Sequence, residues 1–263
     1  MKVTVIQNKV NMDEDFTIRH LNKMMKNTDA DIVMLPEMFC CPYDVELFEK
    51  YAQEEGGDLD CKLSQLAKEW GVYLVGGSVP EREGDNLYNT SYVYNREGHK
   101  IGKHRKIHLF QIDLGKGKSF READALSAGN SITVFDTEFG KMGLAICFDI
   151  RFPEQFRKMS DMGAKVVFVP AAFNMTTGPV HWETLFKSRS LDNQMFMVGA
   201  SPARDDSAKY RAYGHSIITS PWGEIEGQLG YYEDILVYQI DLDMIDKVRG
   251  QLPVLKSMRR DIY

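Results

Sequence analysis

Short apolar runs alternate along this chain with segments whose apolar positions recur every three or four residues. Val3 to Ile6 opens a strand pattern, and Phe16, His20, Leu21, Met24 and Met25 then fall on one helical stripe. Ile32-Val33-Met34-Leu35 predicts a second, buried strand ending at Pro36-Glu37. Leu59, Leu63, Leu66 and Trp70 mark another helix, and Val72 to Val79 another strand. This alternation implies a sheet with helices packed on it.

The middle of the chain changes character. Tyr88 to Tyr94 and His99 to Lys103 flank Asn95-Arg96-Glu97-Gly98, a hairpin whose turn contains a glycine. A second hairpin joins Ile132 to Phe135 with Met142 to Ile146, and a third joins Ser216 to Thr219 with a strand near Glu224. Between these, Val166 to Val169, a helix from Val180 to Asp192, and Met195 to Ala200 return to strand–helix–strand order. Parallel and antiparallel pieces in one chain predict mixed sheets, and more than one of them.

At 263 residues and 43% hydrophobic, the chain has material for one domain spanning 1–263. Glu54-Glu55-Gly56-Gly57-Asp58 and Gly115-Lys116-Gly117-Lys118 are too short to link domains and read as loops. The net charge of −6 comes with both signs interspersed. No basic face suits a phosphate backbone or a membrane, so neither nucleic acid nor lipid is an expected partner. The N-terminus carries no signal-peptide pattern and nowhere do 18 apolar residues run together, which predicts a soluble, cytoplasmic protein. Cys40, Cys41, Cys61 and Cys147 lack metal-ligand spacing, so reduced thiols, no metal and no cofactor are expected.

One thiol stands where chemistry is expected. Met142 to Ile146 is a short apolar run and Pro153, Glu154, Phe156 and Met159 have helical spacing, which sets Cys147 in a strand-to-helix junction. Backbone N–H groups and a helix N-terminus there favour a thiolate; a cysteine after Leu-Ala-Ile is also readable as inert core. Leu35-Pro36-Glu37 puts a carboxylate at another strand end, where sites of open α/β sheets collect, and Glu37 is either a base for the cysteine or an exposed acid. The basic run from Lys103 to His108 is a solvated face or the source of an ammonium that lowers the thiol pKa and holds an oxyanion. His104 and His108 raise the further reading of a Cys–His pair.

Pro36-Glu37, the segment from Lys103 to Leu109 and the segment from Ile146 to Glu154 together resemble the three signature blocks of the nitrilase superfamily of carbon–nitrogen hydrolases, in the family's order and separation. The resemblance runs from Val3 to Tyr263. It implies an α/β fold, an α-β-β-α sandwich with two mixed sheets, that pairs into homodimers and carries a catalytic triad of Glu37, Lys106 and Cys147. A further family glutamate falls on Glu122, with Asp124 as the alternative. The N–H of Phe148 would share the oxyanion with Lys106.

Phe148-Asp149-Ile150-Arg151 is similar to the amide-hydrolysing branches, where true nitrilases carry a Trp-Glu pair. The stretches from Phe173 to Glu183, Ala200 to Asp206 and Tyr213 to Ser216 resemble the branch that hydrolyses the terminal amide of 2-oxoglutaramate and 2-oxosuccinamate. Cys40-Cys41 departs from the small polar residues expected there. The resemblance thus implies an amidase working through a cysteine thioester, with the branches acting on deaminated glutathione or N-carbamoyl amino acids as alternatives. The 2-oxo acid end of the substrate needs cationic or hydroxyl donors, and Arg151, Thr176, Thr177, Tyr43 and Arg204 are the candidates. Each has a second reading: Arg151 pairing with Glu154, Tyr43 in the core, Thr176-Thr177 capping the helix after Pro179. A catalytically silent binding protein and a thiol redox protein using Cys40-Cys41 complete the set of readings.

Overall fold

The computed structural model describes residues 1–113, 115 and 119–262. Of the expected loop from Gly115 to Lys118, Lys116 to Lys118 lie outside the described residues, as does Tyr263.

Two mixed sheets stack face to face. The first has eight strands. Its path runs Asp234–Gln239, Lys2–Gln7, Ile32–Met34, Tyr73–Val75, Asn86–Tyr94, Val79–Glu83 and Gln53–Glu54, with Lys100–Arg105 also paired to Asn86–Tyr94. The second has six strands in chain order, from Thr133–Thr137 and Gly140–Leu144 through Val166–Pro170 and Phe196–Ala200 to Ile217–Thr219 and Ile225–Gln228. Helices Glu14–Met25 and Asp58–Trp70 cover the outer face of the first sheet, and Pro153–Asp161 and Gly178–Asn193 that of the second. The expected four-layer α-β-β-α sandwich is therefore what the chain forms.

The period of two along each strand sorts the side chains into layers. Val3, Val5, Ile32, Met34, Val166, Phe168 and Val198 meet in the core between the sheets. Their neighbours Ile6, Val33 and Leu35 turn outward under the first helix pair, and Val167, Val169 and Met197 under the second. Both faces of these strands are buried, which is why they read as continuous apolar runs and not as alternating ones.

Two expectations need correction, and a strand was not foreseen. Val72 to Val79 is not one strand: the chain breaks at Gly76-Gly77-Ser78 between Tyr73–Val75 and Val79–Glu83, with Gly77 at φ +61°. Phe16 begins the helical stripe on paper but is 46% exposed, whereas Leu21 and Met25 are buried. The strand Asp234–Gln239, absent from the sequence reading, returns the C-terminal part of the chain to the first sheet, antiparallel to Lys2–Gln7.

Candidate active site

Strand Ile32–Met34 delivers Leu35-Pro36-Glu37 to its C-terminal edge. Met38 then turns at φ +51°, a left-handed conformation that costs a residue with a Cβ on the order of 1–2 kcal/mol. Gly77 backs this turn so closely that a Cβ on it would lie 2.3 Å from the Pro36 carbonyl oxygen. Glu37 is fully buried. Its Oε1 accepts from Asn89 Nδ2 at 2.8 Å and from Lys106 Nζ at 2.9 Å, while Oε2 has no hydrogen-bond partner among the described residues. Burial, opposed by the Lys106 charge and reinforced by Glu122, holds the Glu37 carboxyl above the usual carboxylate range.

Lys106 follows strand Lys100–Arg105 and is also fully buried. Its Nζ reaches Glu37 Oε1 and Glu122 Oε1 at 2.9 Å each and the Tyr43 hydroxyl at 3.3 Å. Tyr43 in turn donates to Glu122 Oε1 at 2.5 Å, and Glu122 Oε2 accepts the Phe110 N–H at 2.6 Å. Burial works against the ammonium, but Glu122 and Glu37 outweigh it and hold Lys106 charged well above the ordinary lysine range. Of the two carboxylates Glu122 and Asp124, Glu122 is the one that meets Lys106. Asp124 is exposed, and its one ion pair among the described residues is with Arg121, at 3.8 Å.

Cys147 starts a short 3-10 turn, Cys147–Arg151, three residues past the end of strand Gly140–Leu144, and Pro153 opens the next helix at its first turn. Cys147 has φ +45°, the second left-handed residue of the site. The thiolate expected from its position is not the resting form. Burial pushes the thiol well above its usual range and Glu37 adds to the push, against the opposite pull of Lys106 and the Ala172 N–H. The thiol thus lies where Glu37 and Lys106 both act on it, protonated and next to a carboxylate with one unused oxygen. The N–H of Phe148 meets no acceptor among the described residues.

Neither histidine pairs with the cysteine. Both face Asp149, His104 through Nε2 at 3.0 Å and His108 through Nδ1 at 2.8 Å. Cys40 and Cys41 are free and buried, and burial raises both thiols, which leaves them inert. Among the described residues no cluster of His, Cys, Asp and Glu has the make-up to hold a metal ion.

The substrate candidates separate. Cys147 lines a narrow cleft of about 10 Å³ with Phe148, Arg151, Asn174, Thr177 and Tyr210. Glu37 lines an adjoining cavity of about 420 Å³ with Tyr43 and Cys41, and Ala172 and Tyr210 border both. Arg151 has no carboxylate partner among the described residues. Its guanidinium lies over Phe148 and Phe173 and shares only His181 Nδ1, at 3.3 Å. Thr177 donates its hydroxyl to Asn174, and Thr176 is exposed beside a shallower pocket. Of the remaining two, Tyr43 lines the larger cavity and also serves the Lys106–Glu122 cluster, whereas Arg204 is spent on the carbonyls of Tyr213 and Ala212 and on the Tyr231 ring 4.3 Å away, outside both cavities.

Residues 2–250 match the family model described as carbon-nitrogen hydrolase. The chain belongs to the carbon–nitrogen hydrolases. This hydrolase is 44% identical to the omega-amidase NIT2-A of Xenopus laevis, over 100% of this chain and 96% of that protein. It is 45% identical to the omega-amidase NIT2 of Homo sapiens over 89% and 85% of the two chains. Among solved structures, Nit3 of Saccharomyces cerevisiae, described as a member of branch 10 of the nitrilase superfamily, superposes with a TM-score of 0.89 at 36% identity over 98% of this chain and 96% of that one. Asn89, Asp149, Ala172 and Tyr210 are the site residues that the sequence reading missed. Tyr210 packs tilted against Tyr43, ring centres 4.6 Å apart, and donates its hydroxyl to the carbonyl of Ala172, the residue whose own N–H faces Cys147.

Proposed function

We propose that this carbon–nitrogen hydrolase is an omega-amidase, releasing ammonia from the terminal carboxamide of small 2-oxo omega-amides such as 2-oxoglutaramate and 2-oxosuccinamate. The observation that carries the mechanism is the bare Oε2 of Glu37 beside a protonated Cys147, with Lys106 fixed between two carboxylates. Oε2 takes the thiol proton as sulfur attacks the carboxamide carbon. The oxyanion falls to the Phe148 N–H and to Lys106, whose bond to Tyr43, the longest of its three at 3.3 Å, is the one exchanged. Glu37 then passes the proton to the departing nitrogen, leaving a thioester and ammonia. Water gives a proton to the same carboxylate, attacks the thioester and frees the acid, and the sulfur recovers its proton from Glu37.

The substrate class rests on the likeness to omega-amidases and on Arg151, a half-buried guanidinium free to take the distal carboxylate. Thr177 is placed to assist. A cytoplasmic homodimer belongs to the same reading. Its support is the family resemblance together with exposed Val180 and Leu191 on the helix Gly178–Asn193 and exposed Trp222 and Ile225 beyond it. Among the described residues no helix is long and apolar enough to cross a membrane.

The test is kcat/KM for ammonia release over 2-oxo omega-amides, deaminated glutathione, N-carbamoyl amino acids and nitriles. The highest value is expected for 2-oxoglutaramate or 2-oxosuccinamate, and a higher one on any other class overturns the substrate reading. Cys147→Ala is expected to end release from every amide while keeping the wild-type circular dichroism; turnover near wild type in that variant removes the thioester.

A further inference from the structure

The site is assembled from both sheets: Glu37 and Lys106 leave strands of the first, and Cys147 follows a strand of the second. Something must hold the cysteine turn and the lysine segment in register across that boundary. Asp149, two residues past Cys147, is fully buried and sits where it can. Its Oδ2 accepts the N–H of Ile146, the residue just before the nucleophile, at 3.0 Å, and that of His104 Nε2 at 3.0 Å. Its Oδ1 accepts the His108 N–H at 3.0 Å and His108 Nδ1 at 2.8 Å. His104 and His108 stand two residues before and two after Lys106. His104 is tied onward, Nδ1 to Thr133 Oγ1 at 3.1 Å, and that hydroxyl donates to the Lys103 carbonyl at 2.9 Å. His108 is stacked on Phe152 with ring centres 3.6 Å apart.

We propose that Asp149 is a positioning residue for catalysis: one carboxylate holds the backbone ahead of Cys147 and both flanks of Lys106, and so fixes the nucleophile against the ammonium that meets the oxyanion. Asp149 touches neither substrate nor the reacting atoms. Its four contacts are all with donors, so an amide in its place keeps the volume but turns an NH2 toward at least one of them. Displacing a reacting group by about 1 Å costs on the order of 10²-fold in rate. The loss belongs in kcat, because the cavity that binds the substrate is lined by other residues.

The inference rests on Cys147 and Lys106 acting together, as in the proposed function, and the experiment separates the two. Asp149→Asn and His108→Asn are compared with wild type for kcat and KM on 2-oxoglutaramate, for Tm, and for the rate of Cys147 alkylation by iodoacetamide, followed on the Cys147 peptide because Cys61 is exposed. For Asp149→Asn a fall of about 10²-fold in kcat per folded molecule, KM within about threefold, and alkylation slowed at least about tenfold are expected. His108, partly exposed, tolerates replacement more readily, and about tenfold in kcat at unchanged Tm is expected there. If Asp149→Asn does not fold, His108→Asn decides alone. A kcat per folded molecule within threefold of wild type, or a loss that only tracks the folded fraction, overturns the proposal. If wild type itself releases no ammonia from 2-oxoglutaramate, the substrate reading fails, and the alkylation rates still decide the role of Asp149.

Discussion

Lys106 is a compact cation in a space with no room to spare, fully buried between Glu37, Glu122 and Tyr43. Arginine keeps the charge but brings a planar fork that cannot point one nitrogen at three acceptors, so Lys106→Arg is expected to lose at least about 10²-fold in kcat, checked by steady-state kinetics. Glu37 gives a pH expectation with two signs. Its carboxyl is held above the ordinary range by burial, so kcat/KM should rise with an acid limb displaced upward from the usual carboxylate range, since only the ionised form accepts a proton. A group whose folded pKa is raised stabilises the fold below its unfolded pKa and ceases to do so as pH climbs through the folded one. Glu37→Gln, which leaves Lys106 and Glu122 as a balanced pair, is therefore expected to raise Tm by about 2–4 °C at neutral pH, with the gain vanishing in acid, while abolishing turnover; calorimetry across pH checks both. The sequence placed Glu37, Lys106, Cys147 and Glu122 because they sit in or between recognisable blocks. Asn89 and Asp149 were silent because their meaning lies in partners up to 52 residues away, and a buried strand asparagine has no signature until its carboxylate is seen.

Elements carry the site through their ends, and the ends are what periodicity reads least well. Apolar runs marked most strands of both sheets, and the stripe through Leu63 and the helical segment from Val180 to Asp192 marked helices on each, since burial on two faces leaves a strong pattern. The break at Gly77 was invisible because valine, leucine and glycine continue through it; what ends the strand is a backbone pressed against Pro36. Strand Asp234–Gln239 was legible as the short apolar run Ile235 to Tyr238 and was passed over; the structure leaves it half-exposed at the sheet edge. Two glycines with nearly the same φ allow a controlled comparison. Gly77→Ala forces a Cβ into the Pro36 carbonyl and should cost stability, on the order of 1–3 kcal/mol, and also about tenfold or more in kcat by shifting Glu37. Gly71→Ala, at φ +65° with nothing within 4 Å, should cost stability of that order and leave kcat unchanged. Urea midpoints and kcat on the two variants decide it.

At the scale of the molecule, one apolar core lies between the sheets and one under each helix layer. Phe168 is fully buried between the sheets, and Phe168→Ala is expected to cost about 3–5 kcal/mol in urea unfolding. The resemblance read from three short blocks did reach this architecture. The docking of one sheet on the other did not follow from any local pattern, because it is made by side chains remote in sequence. That docking has a consequence for how the enzyme should fail. The proposed acid and ammonium ride on one layer and the thiol on the other, so turnover acts as a vernier on the alignment of the layers. Modest pressure or dilute urea that lets one layer slip should silence ammonia release while the far-ultraviolet spectrum is still native, and removal of the perturbant should restore it at once.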